Sequence, residues 1–221
     1  MSTIAQRLDN ILATLPADVR LVAVSKFHPA ETIREAYDAG QRCFGESRAQ
    51  ELQAKYQQLP QDIEWHFIGH LQTNKVKYIV PFVSLIHSVD SVRLLDEIER
   101  QAERVGRVVD CLLEVHVAQE DTKYGFSLDD CREFCTAENV AAYPHIRFRG
   151  IMGMASNTDD DRQVKREFAQ LKQLFDEVRG NMSDASFDTL SMGMSHDYLM
   201  AVEQGSTMVR IGTTIFGERV Y

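Results

Sequence analysis

Arg20-Leu21-Val22-Ala23-Val24-Ser25, continued by Lys26-Phe27-His28-Pro29, holds the pattern that distinguishes one fold class from another. The first six residues read as a buried β-strand, because a short apolar, β-branched run ending in a polar turn suits a strand covered on both faces. The four residues after it lack the glycines of G-x-G-x-x-G, so the first crossover cannot cradle a pyrophosphate as a dinucleotide fold does. On either side of this strand the pattern is regular. Further β-rich runs lie at Arg42–Gly45, Glu64–Gly69, Val83–Val89, Val109–Val117, Ile146–Gly153, Asp188–Gly193 and Met208–Ile211. Helical spacing separates them: Ile33, Ala36 and Tyr37; Ala49, Leu52, Tyr56 and Leu59; Val92, Leu95, Ile98, Ala102 and Val105; Leu128 to Cys135; Val164 to Val178; Leu199 and Val202. Ser47-Arg48-Ala49-Gln50 and Ser127-Leu128-Asp129-Asp130 resemble capping boxes. Eight strands alternating with helices predict an α/β fold, a single (β/α)8 TIM barrel, since parallel strands need crossovers and closure removes both sheet edges. An extra N-terminal helix, with Ile4, Leu8, Ile11 and Leu12 on one face, precedes it. A doubly wound open sheet is the alternative.

The 221 residues, 44% hydrophobic and 26% charged, suffice for one domain over 1–221. Apolar runs are far short of a membrane span, and the first residues lack a basic region followed by an apolar stretch. A cytoplasmic protein is therefore expected. A net charge of −9 without clustered Lys or Arg argues against nucleic acid and anionic membranes as partners. Cys43, Cys111, Cys131 and Cys135 form no CxxC, and they read as reduced core thiols rather than metal ligands.

In such a barrel, chemistry sits at the strand C-termini. The ends present Lys26, then Glu46, then His66 and His70, then His87, then His116, then Met152 and Met154. The last two ends are Ser191-Met192-Gly193-Met194-Ser195 and Arg210-Ile211-Gly212-Thr213-Thr214. Small residues and hydroxyls after strands seven and eight suit a phosphate, whose oxygens accept backbone N–H and O–H donors. Lys26, emerging into a partly dry mouth, would have its amine pKa lowered and its lone pair freed for attack on a carbonyl. Lysine and phosphate cradle together imply a phosphorylated aldehyde or ketone. The histidines read as hydrogen-bonded wall residues and the methionines as apolar packing, with no metal among the expected ligands.

Ala23-Val24-Ser25-Lys26, Phe44-Gly45-Glu46, Trp65-His66-Phe67-Ile68-Gly69, Gly150-Ile151-Met152-Gly153-Met154, Leu190 to Asp197 and Gly205 to Gly212 together resemble the YggS/PROSC family of pyridoxal 5′-phosphate (PLP) homeostasis proteins. The resemblance runs from Leu21 to Gly217 and implies a fold similar to the alanine racemase N-terminal barrel domain. It implies that Lys26 carries PLP as a Schiff base, that Ser191, Gly212 and Thr213 hold the phosphate, and that Arg210 faces the pyridine nitrogen. Two positions depart from the family pattern. Ser47 replaces a frequent Asn, and His28 stands where some members have a second lysine. Lys123 resembles a family loop lysine near the mouth.

PLP binding is compatible with two functions. A carrier would buffer PLP or pass it to PLP-dependent apoenzymes, whereas an enzyme would use it for racemisation or related carbanion chemistry. Arg210 favours the carrier, because a guanidinium stays protonated and cannot protonate the ring. Racemases also draw a tyrosine from an additional β domain across a dimer, and the sequence shows no such domain. A non-catalytic monomer is expected.

Overall fold

In the computed structural model, which describes residues 2–118, 124–182 and 185–217, eight parallel strands close into a barrel in chain order. They are β1 (Arg20–Val24), β2 (Cys43–Glu46), β3 (Glu64–Phe67), β4 (Leu85–Val89), β5 (Val109–His116), β6 (Ile146–Met154), β7 (Thr189–Ser191) and β8 (Met208–Ile211). Closure is made by β1 on β8, with Arg20, Leu21, Val22 and Ala23 opposite Met208, Val209, Arg210 and Ile211. The open-sheet alternative is thereby removed.

The N-terminal helix α1 spans Ile4–Leu12 and is capped by a reciprocal Thr3/Gln6 box. Its buried face is Ile4, Leu8 and Ile11, while the expected Leu12 is exposed. Around the barrel come α2 (Ala30–Asp38), α3 (Ala49–Gln58), α4 (Val76–Ile79), α5 (Val92–Val105), α6 (Leu128–Phe134), α7 (Ala137–Ala141), α8 (Asp161–Met182), α9 (Tyr198–Glu203) and α10 (Thr213–Phe216). Sequence spacing did not reveal α4 or α7, because each spans barely one turn and carries no periodicity to detect. The Ser127 capping box forms as expected, but Ser47 caps nothing, since Arg48 takes the N-cap position of α3 without a side-chain bond. In α5 the helix is bounded by Ser91 at its start and by left-handed Gly106 at its end. Its buried stripe runs through Leu94, Leu95, Ile98 and Ala102, leaving the expected Val92 and Val105 exposed.

Strand period two divides the core into two compartments. Outward residues such as Phe44, Trp65, Phe67 and Ile86 join the helices in one apolar shell. Inward residues Val22, Cys43, Leu85, Leu112, Met152 and Met208 form a small separate apolar cluster. The rest of the lumen is polar, holding His66, His87, Ser191 and Arg210 away from solvent. No helix among the described residues is long and apolar enough to cross a membrane.

One glycine is required by the wall itself. At a register shift between Cys111 and Leu112, Gly150 adopts φ 149°, and a Cβ there would lie 1.8 Å from the carbonyl oxygen of Thr189. Gly180, inside α8, meets nothing within 4 Å. Urea unfolding should therefore separate them by sign. Gly150→Ala is expected to lose at least about 1–3 kcal/mol through backbone strain, with the clash added, whereas Gly180→Ala should gain about 0.5–1 kcal/mol through helix propensity.

Candidate functional site

Lys26 leaves the wall in a turn whose shape is imposed from behind. Ser25 continues the ladder by donating its N–H to Gly45 O at 3.0 Å, and His28 N–H returns to Ser25 O at 3.1 Å. Between them Phe27 sits at φ 69°, the one positive-φ residue other than glycine among the described residues. Such a conformation costs about 1–3 kcal/mol and persists only where neighbours determine it. Those neighbours form a buried ionic cluster. Lys55 Nζ of α3 donates to Ser25 O at 2.9 Å, to Glu46 Oε1 at 2.7 Å and to Glu51 Oε1 at 2.7 Å. Ser25 Oγ donates to Glu46 Oε1 at 2.6 Å, and Phe27 N–H donates to Glu51 Oε1 at 2.7 Å. The Arg48 guanidinium covers the Phe27 ring at 4.8 Å.

Glu46 therefore does not reach the barrel mouth as expected from its place at the end of β2. It pairs in register with outward-facing Phe67, so its carboxylate points toward α3. Burial pushes its pKa up to about 7, against the opposing pull of Lys55 and Ser25. Its second oxygen, Oε2, is buried without a hydrogen-bond partner.

In front of this turn, at the C-terminal end of the barrel, lies a cleft of about 200 Å³. Its lining includes Lys26, Arg210, Gly212 and Thr213, four of the five residues expected from sequence, with Ser195, His196, Val24, Ile68, Met154 and Met194. Residues 26 and 213 meet because β1 and β8 are neighbours. Gly212 brings the chain close to β1: a Cβ there would stand 3.1 Å from Val24 O. Its N–H lies 3.3 Å from the Ser195 hydroxyl, which accepts it, so the loops after β7 and β8 are joined at this point. The first N–H groups of α10 have no acceptor within their own helix.

The fifth expected residue is placed elsewhere. Ser191 is 0% exposed and lies beneath the cleft, where its hydroxyl accepts from Arg210 Nη1 at 2.7 Å and lies 3.1 Å from His87 Nδ1. Because β7 is extended at Ser191, period two turns that side chain into the lumen, while the chain leaves the strand before Ser195. Ser195 stands in the same strand-end segment, so its signal was present, but nothing in the sequence distinguished the two hydroxyls.

Arg210 is held from three sides. Nη1 also donates to Ser191 O at 2.9 Å and Nη2 to Gly153 O at 3.1 Å. Burial lowers its pKa to about 10, with Asp197 and Glu114 opposing, so the guanidinium is charged at neutral pH. Below Ser191 the chain of bonds continues, His87 Nε2 lying 2.9 Å from His66 Nδ1. Arg210 can only donate to Ser191 Oγ, which leaves that hydroxyl one hydrogen to donate and a second lone pair to accept with. The bonds can therefore run from Ser191 O–H through His87 Nε2–H to His66 Nδ1, or in the opposite sense from His66 Nδ1–H through His87 Nδ1–H to Ser191 Oγ, according to the histidine tautomers. Both histidines are neutral, because burial lowers the pKa of His66 to about 3 and that of His87 well below its ordinary value. Both are hydrogen-bonded wall histidines as expected, with their rings inside the lumen.

The remaining candidates divide. His196, given no role from sequence, is half exposed at the cleft, with Nε2 3.3 Å from the buried Asp197 carboxylate. His70 sits on the rim, bonded to Asp90 at 3.0 Å and stacked on Tyr124. His28 packs on Phe216, with ring centroids 5.0 Å apart. Ser47 lines a separate surface cleft with His70 and Lys75. Of the methionines expected around a ring, Met154 and Met194 line the cleft, while Met152 and Met192 are buried inside and outside the wall respectively. Lys123 lies outside the described residues.

Comparison with known proteins identifies the family. A family model described as alanine racemase, N-terminal domain, matches residues 1–220. The pyridoxal phosphate homeostasis protein of Aquifex aeolicus is 43% identical over 203 residues, covering 91% of this chain and 88% of that protein. PipY of Synechococcus elongatus PCC7942, solved with PLP bound, superposes with a TM-score of 0.89 at 38% identity, covering 97% of this chain and 100% of that one. Alanine racemase of Clostridium difficile 630 shares the fold at 14% identity and TM-score 0.77, and this chain spans 56% of its length. By matches of this extent, the chain belongs to the alanine racemase N-terminal-domain family, among the pyridoxal phosphate homeostasis proteins.

Proposed function

We propose that this protein binds PLP reversibly and serves PLP homeostasis, with Lys26 as the amine that bonds the aldehyde. The observation that carries this reading is that Lys26, Arg210, Ser195, Gly212 and Thr213 meet in one cleft at the C-terminal end of the barrel. The residues fit the group. A cleft of about 200 Å³ exceeds the roughly 150 Å³ that takes up a benzene ring, and its lining combines apolar Val24, Ile68 and Met194 with hydroxyls and one buried cation. When bound, PLP supplies an aldehyde for an amine and a ring that can withdraw electrons.

Each residue has a distinct task. The Lys55 cluster holds the turn that aims Lys26 into the cleft. Ser195 and Thr213 supply hydroxyl donors for the phosphate, and Gly212 leaves room for the backbone to approach it. Arg210 presents a fixed positive charge that cannot hand over its proton, and Ser191 acts through Arg210 by fixing its position. That arrangement supports a carrier over a carbanion-forming racemase, because a ring left unprotonated is a weaker electron sink. Relatives named as pyridoxal phosphate homeostasis proteins support the same reading. PLP-dependent apoenzymes are the proposed recipients, and a monomer in the cytoplasm is the proposed state. The four free, buried cysteines fit a reducing compartment.

Borohydride reduction of the PLP-loaded protein should fix a pyridoxyl group on Lys26, read by peptide mass mapping; its appearance on another lysine instead would overturn the assignment. In heavy water, the loaded protein should leave the α-protons of L-amino acids unexchanged by NMR, while mixing with a PLP-dependent apoenzyme should restore that enzyme's activity. Fast, stereospecific exchange dependent on Lys26 would make it an enzyme.

For the phosphate, Ser195→Ala and Thr213→Val should each lose about 1–3 kcal/mol of PLP affinity and leave pyridoxal binding unchanged. Ser191→Ala should weaken both aldehydes alike, since it acts on Arg210. For the turn, Lys55→Met strands buried carboxylates and should cost about 3–5 kcal/mol in urea unfolding, with part recovered in the double variant with Glu46→Gln.

A further inference from the structure

The lumen has a second polar end. At the N-terminal mouth, opposite Lys26, a cavity of about 220 Å³ is lined by Arg20, Glu64, His66, Asp110 and Arg149 among others. Cys43 and Glu64 are register partners on β2 and β3, and His66 comes two residues later on the same inward face. One donor atom from each of Cys43, Glu64 and His66 lies within 4.8 Å of the others.

We propose that Cys43, Glu64 and His66 form a binding site for a divalent transition-metal ion of the zinc type at the N-terminal end of the barrel. A thiolate, a carboxylate and an imidazole are a borderline-soft donor set that suits zinc and excludes magnesium and calcium, which take oxygen ligands. On binding, the Cys43 thiol releases its proton to solvent, and thiolate and carboxylate then carry two negative charges, matching the ion. Bond lengths of about 2.0–2.3 Å in a tetrahedron separate neighbouring donors by roughly 3.5 Å, so the present spacing needs to contract by about 1 Å. Three protein ligands leave a fourth position facing the cavity.

The surroundings are consistent with such a site. His66 Nδ1 is occupied by His87, which leaves Nε2 as the nitrogen for an ion, and ligating histidines are commonly oriented through their other nitrogen in this way. With an ion on Nε2, the His66 proton resides on Nδ1 and donates to His87 Nε2. His87 Nδ1–H then donates to Ser191 Oγ, so an ion selects one of the two senses open to the bonds beneath Arg210. Arg20 bonds one oxygen of Glu64, Oε2, at 2.5 Å and leaves the other available, and its side chain is half exposed, so it can withdraw or remain bonded to the carboxylate.

Cobalt(II) is the probe, because a thiolate bound to it gives a near-ultraviolet charge-transfer band. Untagged, reduced protein titrated with cobalt should show this band saturating at one equivalent, and zinc should displace it. Glu64→Gln, at the exposed rim where folding is not at stake, should weaken cobalt binding by roughly tenfold or more. Cys43→Ser should abolish the band while far-ultraviolet circular dichroism is retained. The pair Cys131 and Cys135, whose sulfurs lie 4.0 Å apart, is the competing thiol site, and Cys131→Ala/Cys135→Ala should leave the band unchanged. No stoichiometric band, a band that survives Cys43→Ser, one lost in Cys131→Ala/Cys135→Ala, or undiminished affinity in Glu64→Gln would each overturn the proposal.

Discussion

Everything at the cleft depends on the pairing of β1 with β8. A parallel sheet leaves its first and last strands with unpaired backbone groups, and here those two edges satisfy each other along Arg20–Ala23 and Met208–Ile211. Closure sets Lys26 beside Arg210, Gly212 and Thr213, groups at opposite ends of the chain. The contact is tight enough that a side chain at Gly212 would press on Val24. The cleft thus rests on a backbone constraint before any side chain is considered.

Behind that contact stands a second, ionic constraint. Lys55 gathers Glu46, Glu51 and the Ser25 carbonyl, and through Glu51 it reaches Phe27 N–H. Burying these charges is costly, and replacing such clusters by apolar residues is often neutral for stability. Their value here is geometric. They hold a phenylalanine in a left-handed conformation, and so orient the lysine that precedes it.

The lumen is organised differently from the apolar interior common in such barrels. Arg210, Ser191, His87 and His66 form a hydrogen-bonded column between two mouths. Because each member has few alternatives, the protonation pattern at one end is tied to that at the other. The arginine at the top leaves two senses open to the neutral histidines below it, and the donor set at the bottom can select between them.

Architecture and most of the cleft were legible from residue order alone. Alternation of buried strands with helical spacing is a local property, and the absence of a glycine fingerprint after Val24 separated the barrel from the open sheet. Lys26, Arg210, Gly212 and Thr213 could be read because strand ends in a barrel converge on one face whatever the loops do. Which way each strand-end side chain turns was settled in three dimensions. Glu46 faces the helices, Ser191 faces the lumen, and His66 and His87 fill it, because register and closure assign each residue to one side of the wall. A shift of one residue along a strand reverses that side, and no composition or motif reports it. The same reason hid Ser195 behind Ser191, and hid the meeting of Cys43, Glu64 and His66, which are near neighbours only across paired strands.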